Sequence, residues 1–302
     1  MNKWIIIVLA LSLFSFSCKK TATDELTSST LDSEEMAQQI GETMASIDES
    51  GGSSGQYAFM KADLRTFARR APEALEKQNL MSLIVSKAEA ATCSSAPGFG
   101  SCTNDVIVRN FNNCTIGSAT VSGTVTLSFF DADGFNDTTC SMAVDGQSIT
   151  RNPNYTVTGL RNAQLAVTKT GTFGQQILRS DATTFFILND GINRKLTFAG
   201  QTLIDVTTTI SNAQRLTVTG NTRNGRVLNG GTIVLTDNLS GKICSMSPSN
   251  VTWNNTCNCA ISGSWSGSCD TGTTADITIT GCGTANIDIN GESKSITFDR
   301  CY

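Results

Sequence analysis

Residues 285–298, ANIDINGESKSITF, decide how the fold reads. Ile287 and Ile289 alternate with Asn286 and Asp288 before Asn290-Gly291, and Ile296 and Phe298 alternate with Ser295 and Thr297 after it. A period of two places every second side chain on one face of an extended strand. Asn-Gly between two such runs tolerates the positive φ that a tight hairpin turn demands. The stretch therefore predicts two antiparallel strands, each with one buried and one wet face.

The same vocabulary runs back to Cys93. Val121, Val125, Leu127 and Phe129 are separated by Thr and Ser, and the pairs Leu165/Val167, Leu216/Val218 and Ile277/Ile279 repeat the pattern. Thirteen Asp stand against one Glu (Glu292) in this region, where Thr, Asn, Ser and Gly dominate. Turn signals fall at Asp145-Gly146, Asp190-Gly191, Asn224-Gly225, Asn229-Gly230 and Asn290-Gly291. About twelve strands are expected, with no βαβ alternation to suggest a parallel sheet. The short fragments TVSG (120–123), TVTG (156–159), TVTG (217–220) and TITG (278–281) share strand-end chemistry but not their flanks. The expected class is mainly β, an antiparallel β-sandwich or a strongly curled open sheet, preceded by an α-helical N-terminal region.

That helical region spans 32–92. Asp32-x-x-Glu35 offers a cap, and Met36, Ile40, Met44 and Ile47 recur at helical spacing. Gly and Ser at 51–55 end the first helix, and Pro72 fits the first turn of a later one. Arg65, Arg69 and Arg70 read as a solvated helix face.

Met1 to Cys18, MNKWIIIVLALSLFSFSC, has a positive Lys3, an apolar run and a small residue, Ser17, before Cys18. The layout is that of a secretory signal peptide over residues 1–17. The run is shorter than the roughly 20 apolar residues a membrane-spanning helix needs. The Ser17-Cys18 junction resembles the lipobox of bacterial lipoproteins, although Ser15 and Phe16 depart from its usual residues. That resemblance implies acylation of Cys18, a membrane partner reached through a lipid anchor, and a cell-envelope location. Lys19 after the cysteine implies the outer membrane, with the domain facing the periplasm or the cell surface. Residues 18–31 then form a polar tether, and 93–302 a disulfide-stapled β domain whose Cys-rich part is 241–302. An ordinary signal peptide cleaved at the small-x-small pair Ser15 and Ser17 is the other reading.

The chain has 11 cysteines. An acylated Cys18 leaves ten, an even set compatible with five disulfides in an exported protein. They fall into two groups: Cys93, Cys102, Cys114 and Cys140, then Cys244, Cys257, Cys259, Cys269, Cys282 and Cys301. Sequence cannot choose among the pairings within each group.

Histidine is absent, which removes Ser-His-Asp and Cys-His nucleophiles and His-ligated zinc. A formal net charge of −4 gives no electrostatic reason to expect nucleic acid. Several constellations have a plainer role beside a chemical one. DADGFND at 131–137 has the acids of a calcium loop, but Gly134 is fourth rather than sixth, so a turn is expected. Cys257-x-Cys259 could bind a soft metal, but two disulfides suit an exported chain better. Trp265 between Gly263 and Gly267 could stack on a sugar if exposed, and is a core residue if buried. Thr-x-Thr runs such as Thr207 to Thr209 could form hydroxyl ladders for glycan or ice, and are also ordinary strand residues. Asp205 in LIDVTTT is an acid closely flanked by apolar residues, without a partner for glycoside cleavage.

No catalytic residue, metal site or cofactor is expected. The leading expectation is a non-catalytic structural or macromolecular-contact protein with a protein or glycan partner. The alternatives are a carrier of hydrophobic ligands and a carbohydrate-binding or carbohydrate-active protein.

Overall fold

A computed structural model describes residues 102–297, except 117–118, 136–139, 141, 160–161, 221, 223 and 258. The leader 1–17, Cys18, the tether 18–31, the helical region 32–92, Cys93 and Cys301 lie outside the described residues. So do Asn136, Asp137 and Phe298.

The alternating segments become β1 (Val106–Ile116), β2 (Ala119–Phe130), β3 (Ser148–Thr158), β4 (Gln164–Lys169), β5 (Gln175–Arg179), β6 (Thr184–Phe198), β7 (Gln201–Ile210) and β8 (Leu216–Thr219). The chain continues with β9 (Val227–Asn229), β10 (Ile233–Asp237), β11 (Ile243–Thr252), β12 (Ser262–Cys269), β13 (Thr274–Gly281), β14 (Thr284–Ile289) and β15 (Glu292–Thr297). The one helical element among the described residues is the 3-10 turn Asn212–Gln214. All fifteen strands join one antiparallel sheet, ordered β1-β2-β3-β4-β6-β7-β10-β11-β12-β13-β14-β15.

That path has twelve positions because three of them are shared by two collinear strands. β4 and β5 lie end to end between β3 and β6. β7 and β8 lie end to end along β6, and β9 and β10 fill the place between them and β11. The chain thus runs up and down in sequence order, the arrangement that short turns favour.

The breaks line up across the sheet. Residues 170–174 separate β4 from β5 opposite Asp190 and Gly191, where the β6–β7 register also shifts. Residues 211–215 and 230–232 follow on the next positions, and Asn250 with φ 48° marks a register shift on β11. Side chains and backbone take up the groups freed there: Thr172 N–H donates to Asp190 Oδ2 at 2.6 Å, Gly191 N–H to Asn189 Oδ1 at 2.9 Å, and Asn250 N–H to Asn229 Oδ1 at 3.2 Å.

This line corrects two expected turns. Asp190-Gly191 lies inside β6, and Asn229-Gly230 joins two collinear strands instead of reversing the chain. Asn and Gly supply positive φ to a kink as readily as to a hairpin. Asn290-Gly291 does make the expected hairpin: Ile289 pairs with Glu292, and the two turn residues have φ of 50° and 89°.

Burial follows the period of two. On β13, Ala275, Ile277 and Ile279 are buried while Asp276, Thr278 and Thr280 are exposed. On β7, Ile204, Val206, Thr208 and Ile210 turn inward. These inner side chains join one apolar cluster from Phe111 to Ile296. Phe111 and Tyr155 meet edge to face with centroids 6.2 Å apart, on either side of Gly123. Trp265 is 0% exposed, between Pro248 and Ile277 on the adjacent strands. Gly267 must be glycine: a Cβ there would collide with the Ser245 carbonyl oxygen and sit 2.7 Å from Met246 Sδ.

Arg109 is buried on the inner face of the outermost strand β1. On the other outermost strand, the exposed Lys294 stands opposite Ile287. Charge on an outermost strand discourages edge-to-edge association.

Candidate functional site

The most connected polar group on the outer face surrounds Asp205. Period-two alternation on β7 turns Ile204 and Val206 inward and Asp205 and Thr207 outward. On β6 the register sets Lys195 directly opposite Asp205 and Asn193 opposite Thr207. Asn238, just beyond β10, completes the group, its backbone N–H donating to the Asp205 carbonyl at 2.8 Å.

Both carboxylate oxygens of Asp205 are engaged. Asp205 Oδ1 accepts from Asn193 Nδ2 at 2.7 Å and Asn238 Nδ2 at 2.8 Å, and Oδ2 lies 3.3 Å from Lys195 Nζ. Both amides also donate to Thr207 Oγ1, at 3.2 Å and 2.9 Å. Burial is the largest single influence on the Asp205 carboxyl and pushes its pKa up. Hydrogen bonds from Asn193, Asn238 and Lys195 outweigh it and leave the group below its ordinary value.

A carboxyl held ionised in this way cannot donate a proton at neutral pH, as a glycosidase acid must. Its neighbours along the row, Lys195, Ala166 and Asn238, bring an ammonium, a methyl and an amide, and no second carboxylate. The arrangement is chemically a structural anion that ties the β10–β11 turn to β6 and β7.

Its sign with pH follows directly. The folded-state pKa is depressed, so the stabilisation is present above the unfolded value of 3.8 and is lost as pH falls through the lower folded value. Asp205→Asn is expected to cost about 1 kcal/mol at neutral pH. Its urea midpoint should then fall less than the parent chain's between about pH 4 and pH 2. Equal acid sensitivity of the two chains would remove this role.

The other sequence candidates resolve as follows. Asp131 Oδ1 accepts the N–H groups of Asp133 and Phe135, each at 3.0 Å, which is a turn. Among the described residues, no group of three or more acids or cysteines could hold a metal ion. Cys257 is bonded to Cys282, and Cys259 is also in a disulfide, so neither is a thiolate ligand. Trp265 is in the core and presents no face to a sugar. Asp237, the acid after Thr236, is buried and caps its own turn, accepting from Leu239 N–H at 2.9 Å and Ser240 Oγ–H at 2.6 Å.

Sequence reading picked out Asp205, and Thr207 only as part of a hydroxyl run, and missed Asn193, Lys195 and Asn238. Asn238 is 33 residues away, and only the register across three strands brings it close. No family model, curated protein or solved structure matches the chain.

Proposed function

We propose that the chain is an exported, lipid-anchored protein whose β domain makes non-catalytic contact with another macromolecule. One observation carries the export half: all eight described cysteines are in disulfides, including Cys102–Cys140, Cys244–Cys269 and Cys257–Cys282. Such bonds persist in oxidising compartments outside the cytoplasm. The three pairs stay within the two groups expected from spacing.

The leader and the Ser17-Cys18 junction supply the anchor. Cys18 is acylated, the tether 18–31 lifts the domain from the outer membrane, and ten cysteines remain to form five disulfides. The sheet curls along its line of kinks, bringing its apolar face around the shared core.

Packing supports the contact role. Leu216, Leu228, Ile277 and Trp265 fill the inner face to zero exposure, which favours a closed core over a groove for an apolar ligand. The outer face presents short, mostly uncharged side chains suited to a broad contact.

Intact-mass analysis of protein from its native membrane, before and after reduction, tests this reading. A diacyl or triacyl addition at Cys18 and ten hydrogens gained on reduction are expected. A plain chain, or one with free thiols beyond Cys18, would overturn the anchored, fully stapled form.

A further inference from the structure

Cys114 on β1 and Cys259 between β11 and β12 are both in disulfides. The other six described cysteines pair among themselves, and neither Cys114 nor Cys259 is bonded to a described cysteine. Their partners therefore come from Cys18, Cys93 and Cys301, which lie outside the described residues. An acylated Cys18 has no thiol to offer, so two arrangements remain. Two features of the fold choose between them.

The first is the reversal that leads into β1. Thr103 N–H donates to the Val106 carbonyl at 3.1 Å and Val106 N–H to the Thr103 carbonyl at 3.2 Å. Between them, Asn104 and Asp105 have φ of 50° and 67°, the geometry of a tight hairpin turn. Phe129 N–H takes the Asp105 carbonyl at 2.9 Å from the β2 side, so Thr103 stands at the edge of β1 that β2 does not use. The chain thus reaches Thr103 antiparallel to β1, and followed backwards it heads for the Cys114 end. Cys114 is eight positions beyond Val106, about 26 Å at the strand rise, and Cys93 is ten positions before Thr103, about 33 Å. Cys93 reaches Cys114 with length to spare.

The second is the corner where β15 ends. Thr297 pairs with Thr284 on β14, two positions after Cys282. Cys282 is bonded to Cys257, two positions before Cys259. Cys301 follows Thr297 by four positions, a reach of about 13 Å that brings it to this corner. The crossed arrangement would send Cys301 to β1, at the other end of the strand order, and Cys93 away from the strand beside which its chain enters.

We propose that Cys114 is bonded to Cys93 and Cys259 to Cys301, an inference that rests on the acylated Cys18 of the reading above. Each bridge forms as two thiols lose two protons and two electrons to a disulfide-bearing oxidant of the export compartment, which becomes a dithiol. The two bridges share a role. Outermost strands offer unpaired backbone groups to foreign strands. Cys93–Cys114 fastens the chain ahead of β1 against that strand's free edge, and Cys259–Cys301 fastens the chain that follows β15.

The test is chymotryptic mapping of the full-length chain from its native membrane, alkylated before digestion and left unreduced. Cleavage after Phe99, Phe111 and Phe129 separates Cys93, Cys102, Cys114 and Cys140, and cleavage after Trp253, Trp265 and Phe298 isolates Cys257 with Cys259 from Cys301. Peptides joining Cys93 to Cys114, and Cys301 to the 254–265 peptide, are expected. Single variants assign the cysteine within that peptide. Unfolded without reductant, Cys93→Ala should leave Cys114 alone open to alkylation, and Cys301→Ala should leave Cys259 alone. If a variant fails to accumulate, the map of the parent chain still decides the crossed arrangement. Joining of Cys93 to the 254–265 peptide, or alkylation of Cys257 in place of Cys259, would overturn the pairing and leave the lipid anchor intact. A bridge to Cys18 would overturn the anchor as well.

Discussion

Trp265→Ala is expected to lower the stability of the β domain by about 3–5 kcal/mol, the range for emptying a fully buried aromatic site. The ring lies at zero exposure, and the two glycines of its own strand leave no side chain able to collapse into the space. Gly267 cannot move to help, because its Cα face is already covered by Met246. Trp265→Phe separates packing from polarity. The indole N–H of Trp265 finds no acceptor among the described residues, so losing it removes no hydrogen bond. Phenylalanine should then cost only about 1–2 kcal/mol, for the smaller ring alone. Urea unfolding followed by far-UV circular dichroism reads both variants. An alanine variant within about 1 kcal/mol of the parent would mean that the ring is not part of the core. Its availability for stacking on a sugar would then have to be reconsidered.

The two-faced strands were readable because burial and alternation share a period. Ala275, Ile277 and Ile279 are spaced by Asp276 and Thr278 in the chain and separated by the sheet in space. The grouping of cysteines was readable for a similar reason, since an up-and-down chain keeps sequence neighbours close. The line of kinks was not readable. Asp190-Gly191 satisfies every local requirement of a turn, yet β3, β4 and β5 pair on so that β6 continues through it. Whether a positive-φ pair reverses the chain depends on the strand beside it, which local sequence does not encode. The surroundings of Asp205 share this limit. They depend on register between strands, where a slip of one residue would send every polar side chain inward.

Replacing Cys257 and Cys282 together with alanine should cost about 3 kcal/mol, the loop-entropy value for a bridge that closes some 25 residues. The Cys244–Cys269 bridge has the same separation of 25 and makes an internal control. If the bridges act on the unfolded chain, both double variants should lose the same stability in urea. Their local effects should differ. Cys244 and Cys269 face each other on strands already held by a continuous ladder from Cys244 to Ser249. Cys257 instead sits between β11 and β12, where Trp253, Cys259 and Ala260 are buried without a strand to hold them. That segment is fastened by backbone bonds from Trp253 N–H to Arg226 O at 3.2 Å and from Ile261 N–H to Thr252 O at 2.8 Å. Loss of the Cys257–Cys282 bridge should therefore speed hydrogen exchange in 253–261 well before global unfolding, and loss of Cys244–Cys269 should not. Equal local exchange in the two variants would mean that the segment is held by its packing and by the Cys259 disulfide. A near-zero global cost for Cys244–Cys269 beside a large one for Cys257–Cys282 would instead show that bridges here act on the folded state.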